Sequence, residues 1–119
     1  MLMNPQESGL EIVPPIIVNE GADVFAYPSV EAVIRHVEVV DIENGVYEFH
    51  DSTGRVLEAK VHRGKLSLVP TSKLESNSET LRGYMIGVLR LQGVLQEDLS
   101  TKAFSELARL LLESFQKRK

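Results

Sequence analysis

Apolar and polar positions alternate most regularly between Val46 and Pro70, in three short runs separated by Ser52-Thr53-Gly54 and Arg63-Gly64. A period of two, bounded by turn residues, predicts an antiparallel meander. With Gly54 in the left-handed region, the first loop sets Phe49 opposite Leu57 and Tyr47 opposite Ala59. With Arg63-Gly64 as the second loop, Val61 lies opposite Leu66 and Ala59 opposite Leu68. Both registers put Tyr47, Phe49, Leu57, Ala59, Val61, Leu66 and Leu68 on one face. A one-residue slip in either hairpin would split that set across the sheet, so burial selects this pairing. Glu48, His50, Glu58, Lys60, His62, Lys65 and Ser67 then share the outward face, with Glu48 directly across from Glu58.

Upstream, Pro15-Ile-Ile-Val-Asn19 and Asp23-Val-Phe-Ala-Tyr27 read as a hairpin around Glu20-Gly21-Ala22. Both of its faces are apolar, so each needs a cover. Ser29 is a good N-cap, and Val30, Val33, Ile34 and Val37 follow at helical spacing as a stripe facing the sheet. Val39 to Ile42 reads as a further short strand before the Asn44-Gly45 turn.

Beyond the meander, Thr71 to Asn77 reads as a linker. Ser78 then caps a long helix with the stripe Leu81, Met85, Val88, Leu91 and Leu95, weakened by Gly83, Gly87 and Gly93. After Asp98-Leu-Ser-Thr, a last helix carries Phe104, Leu107, Ala108, Leu111 and Phe115, widened by Leu110 and Leu112. The class is α+β: an antiparallel sheet (β-hairpin, helix, three-stranded meander) followed by a C-terminal αα-hairpin. Residues 1–14 are expected to be a mobile tail. Residues 15–70 form the sheet with one helix, and 71–119 the helical hairpin, packed on the same core.

Charge changes the picture more than composition does. Cysteine is absent from the 119 residues, which excludes disulfides, thiolate metal sites and a cysteine nucleophile. No apolar run approaches the ~20 residues of a membrane span, and there is no basic start followed by an apolar core, so a cytoplasmic protein is expected. The net charge of −4 hides an asymmetry. Residues 1–60 hold eleven carboxylates against Arg35, Arg55 and Lys60, a balance of −8, whereas residues 61–119 hold six against ten basic residues, a balance of +4. An acidic half is unsuited to nucleic acid and attracts a basic protein.

No phosphate-cradling glycine loop and no Gly-x-Ser-x-Gly elbow occurs. His36, His50 and His62 show no metal-ligand spacing, so no metal or cofactor is expected.

Pro15-Ile-Ile-Val-Asn-Glu-Gly, Tyr27-Pro-Ser-Val-Glu-Ala, Asp41-Ile-Glu-Asn-Gly and Phe49-His-Asp-Ser-Thr-Gly-Arg-Val-Leu together resemble small bacterial proteins of the immunity type found in polymorphic and contact-dependent toxin systems. The resemblance covers about residues 15–60 and is one of turns and strands, with no functional motif. It implies a class of function, the binding and masking of a toxin, and no family residues; the expectation is a non-enzymatic protein. The expected reading is therefore an inhibitor of a basic toxin domain, such as a nuclease, docking through an acidic surface. The candidate partner-binding residues are Glu20, Asp23, Glu31, Glu38, Asp41, Glu43, Glu48, Asp51 and Glu58, with Glu48 and Glu58 first. The alternative is a homodimeric adaptor assembling through its C-terminal helices. An enzyme using Glu48, Glu58 and the histidines would require the sheet to curve into a pocket.

Overall fold

A computed structural model describes residues 11–37, 39–76, 78–94 and 98–117, with the side chain of Glu43 left out. The elements run β1 (Ile16–Glu20), β2 (Asp23–Tyr27), α1 (Val30–His36), α2 (Val39–Glu43), β3 (Glu48–His50), β4 (Arg55–His62), β5 (Lys65–Leu74), α3 (Glu79–Leu91), a 3-10 turn (Leu99–Thr101) and α4 (Phe104–Lys117). All five strands join one antiparallel sheet in the order β2-β1-β3-β4-β5. The architecture is α+β, as the alternation predicts.

The meander pairs as expected: Phe49 with Leu57, Ala59 with Leu68 and Val61 with Leu66. Arg63 (φ 53°) and Gly64 (φ 77°) make the second turn, both left-handed, which suits the twist of the flanking strands. β1 is central. Its Ile16, Ile17 and Val18 are almost fully buried and point alternately to opposite faces, each burial stabilising the fold by about 1.5–3 kcal/mol. On one face Ile16, Val18, Phe49, Leu57, Leu66 and Leu68 pack with Val33 of α1 and Val37 at its C-terminal end. On the other, Ile17, Val24 and Ala26 pack with α3 and α4. The sheet thus lies between two helical layers, with an apolar cluster on each side.

Several expectations are corrected. Val39–Glu43 is helical, not a strand; Ile42 packs on the core while Val40 stays exposed, as one short helical turn allows and alternation does not. Ile34 is exposed. α1 is only two turns long, and the sheet takes Val33 and Val37 at i and i+4 instead. The expected linker is mostly strand, because β5 continues past Pro70 to Leu74. Pro70 is tolerated because β5 is an edge strand, where a missing N–H leaves no ladder bond unmade. A bulge follows it. Leu57 pairs with Pro70 and Arg55 with Leu74, so Thr71, Ser72 and Lys73 stand against Val56 alone. The Thr71 hydroxyl donates to Val56 O at 2.8 Å, and Arg55 Nη1 donates to Thr71 O at 2.9 Å, which restores bonding across the bulge.

In α3 the buried stripe is Leu81, Met85 and Leu89; Leu91 is 85% exposed, and Leu95 lies outside the described residues. The helix ends at Leu91 because Gly93 (φ 88°) takes the left-handed position. Gly93 N–H donates to Arg90 O and Val94 N–H to Leu89 O, a Schellman end. The expected tail lies outside the described residues as far as position 10. Of the rest, Ile12 packs on the α1-side cluster, and Val13 is hydrogen-bonded to the β3–β4 loop.

Candidate functional site

The face expected to be outward is not open at its β1–β3 end. Antiparallel pairing sets Ile17 beside His50 and Asn19 beside Glu48, so Asn19, Glu48 and His50 project to the side that α3 and α4 cover. His50 is 3% exposed, and its ring lies 6.4 Å from that of Phe104. Strand register alone sets this histidine on the outward face; the docking of the C-terminal helices over it is what buries it.

Glu75 completes the group. Gly54, with φ 88°, approaches the backbone of Ser76 so closely that a Cβ there would lie 2.6 Å from Ser76 N and Cα. Gly54 O also accepts from Glu75 N–H at 2.7 Å. The loop thereby fixes the segment between β5 and α3 and brings Glu75 Oε2 to 3.9 Å from His50 Nε2, too long for a hydrogen bond. Burial pushes the His50 imidazolium below its ordinary pKa, and the nearby carboxylates of Glu75, Glu48 and Asp51 only partly oppose this. The ring is accordingly neutral at neutral pH, with one nitrogen a donor and the other an acceptor.

A cavity of about 150 Å³ lies over this floor, lined by Asn19, Glu48, His50, Glu75, Ser78 and Tyr84 among others. A neighbouring one of about 360 Å³ shares Glu48, His50 and Glu75 and adds Glu58 and Lys73. A larger cavity of about 720 Å³ lies between α3 and the start of α4, but its Arg82 already donates to Ser100 O and Lys102 O. In the smaller pair, by contrast, Asn19 Oδ1 and both His50 ring nitrogens are buried without a hydrogen-bond partner among the described residues. Unsatisfied buried polar atoms are rare and call for an explanation. Among the described residues no group of His, Asp and Glu could hold a metal ion.

The acidic residues do not form one surface. Glu48 and Glu58 line a common cavity; Glu58 also lies 3.8 Å from Lys60. Glu20 and Asp23 face each other at the β1–β2 turn. Glu31 and Asp41 sit on α1 and α2, the helices across the sheet. Asp51 is a correction, since it is fully buried and has no oxygen to offer a partner. Its Oδ1 accepts from Thr53 N, Thr53 Oγ1 and Arg55 N, and its Oδ2 from Val13 N. An aspartate opening a tight loop is as much a turn-former as a surface charge. Glu38 lies outside the described residues, as does the side chain of Glu43.

The class these features define is a two-sided antiparallel sheet with an acceptor-lined cavity where β1 and β3 meet the start of α3. Comparison with protein-family models, curated proteins and solved structures finds no match. Among the described residues no helix is long and apolar enough to cross a membrane.

Proposed function

We propose that this chain is a non-enzymatic protein-binding module that neutralises a basic partner domain, in the manner of the immunity-type proteins it resembles. The observation that carries the reading is the convergence of Glu48, Glu58 and Glu75 around buried acceptors that lack donors. A surface of this kind is incomplete until a cationic donor arrives. Among the described residues no partner orients the His50 ring, and its Nε2 lies 3.9 Å from Glu75 Oε2, so its acceptor nitrogen is left for a donor from outside the chain. Assembly through exchanged C-terminal helices gains no support, because the stripes of α3 and α4 are already buried against the sheet of the same chain.

The test is the association rate with candidate basic toxin domains, nuclease domains first, measured from low to high salt. Electrostatic steering predicts a rate that falls steeply with ionic strength. The double substitution Glu48→Lys and Glu58→Lys should lower it by about tenfold or more at low salt. A rate indifferent both to salt and to the double substitution would refute the reading.

A further inference from the structure

We propose that the cavity between β1, β3 and the start of α3 receives one arginine side chain from a partner protein. This rests on the partner-binding reading above and specifies the group that the partner presents.

The donor–acceptor balance of the cavity leads to this choice. Asn19 is 1% exposed, and its Nδ2 donates to Glu48 Oε1 at 2.9 Å and to Gly21 O at 3.2 Å. That pair of bonds fixes the amide, since turning it over would set its oxygen against two acceptors. Asn19 Oδ1 is left as a buried acceptor with no donor among the described residues. His50, equally enclosed, adds the acceptor nitrogen of a neutral ring. Glu48 and Glu75 supply carboxylates, and among the described residues no lysine or arginine lines this smaller cavity. Lys73 approaches Glu75 at Oε1, 3.6 Å away, whereas Oε2 is the oxygen nearer His50.

An anion entering here would meet two carboxylates, and a neutral hydroxyl would bring a single donor to several acceptors. A guanidinium brings five N–H groups in one plane and is less strongly hydrated than an ammonium, so it loses less on entering a half-buried site. A cavity of about 150 Å³ holds one such head group, and Tyr84 gives it an aromatic wall. A guanidinium would give Asn19 Oδ1 and the acceptor nitrogen of His50 the donor they lack among the described residues.

The experiment titrates the isotopically labelled full chain with Nα-acetyl-arginine methylamide. It follows the His50 ring and the Asn19 side-chain amide by NMR. Saturable shifts of both are expected, with a millimolar midpoint, and none with the citrulline analogue, which has the same shape without the charge. Glu75→Gln, at a partly exposed position, should weaken the midpoint by about tenfold. Glu48→Gln provides a second variant, should the first perturb the fold. The proposal is overturned if neither resonance responds at concentrations that would saturate a millimolar complex. It is also overturned if citrulline acts equally, or if the acetyl-lysine methylamide binds more tightly. Partner binding that is salt-dependent yet unchanged by Glu75→Gln would keep the inhibitor reading and remove this pocket. Saturable arginine binding without any basic partner would do the reverse.

Discussion

Asp51 shows how one residue can serve the fold where its charge suggests an interface. Four donors converge on its carboxylate, three from the loop it opens and one from Val13, at 2.6 to 3.1 Å. Asp51→Ala would strand the Val13, Thr53 and Arg55 amides, and each buried donor left without an acceptor is costly. We expect a loss of about 2–4 kcal/mol, read as a lower urea midpoint at unchanged slope. If Asp51 served only a partner, the same substitution would leave the midpoint within about 0.5 kcal/mol. Asn19 and His50 are the opposite case, polar residues placed inside with bonds still to be made.

At the scale of elements, what could be foreseen follows from how local the determinant is. The meander registers were legible because seven apolar side chains had to share one face, and pairing satisfies that in a single way. The Ser29 and Ser78 caps were legible for the same reason: each hydroxyl accepts from the amide three residues on. Val39–Glu43 was not, because β-branched residues imitate a strand while Asn44-Gly45 lets one helical turn end there. The strand beyond Pro70 was hidden by its bulge, and with it the place of Glu75.

The rotation of the α3 stripe away from Leu91 was set by the sheet and α4, which the periodicity of one helix cannot report. Gly83 and Gly87 were read as weak points in this helix. A Cβ at either position meets nothing within 4 Å. Gly83→Ala and Gly87→Ala should therefore each stabilise by about 0.5–1 kcal/mol, giving a measurable rise in Tm. A fall would mean that a partner helix uses the space.

At the scale of the molecule, the sheet separates an apolar cluster under α1 from another under α3 and α4, and His50 sits where the second meets the acidic cavities. Its folded-state pKa is depressed by burial, so in acid the unfolded chain takes up a proton that the folded chain refuses. The contribution is fully present above the unfolded value of 6.5 and is lost as pH falls from there through the folded value. For one group the decline cannot exceed about 1.4 kcal/mol per pH unit, the limit for a single proton. Urea unfolding at a series of pH values should show this slope in the wild type and lose it in His50→Gln. An identical pH profile in both would mean that His50 is protonated as readily inside as outside. This whole-molecule behaviour was beyond sequence reasoning, since it depends on α4 laying Phe104 against a strand more than fifty residues earlier.

The four-residue bend between β3 and β4 grips the chain on two sides. Asp51 and Ser52 hold the segment leading into β1, and the Gly54 carbonyl holds the segment leading into α3. It acts as a clasp between the two stretches that flank the described sheet. Should the bend open, the approach to the first strand and the carboxylate above His50 would come loose together. The integrity of the acidic cavity is therefore tied to a part of the chain that never lines it.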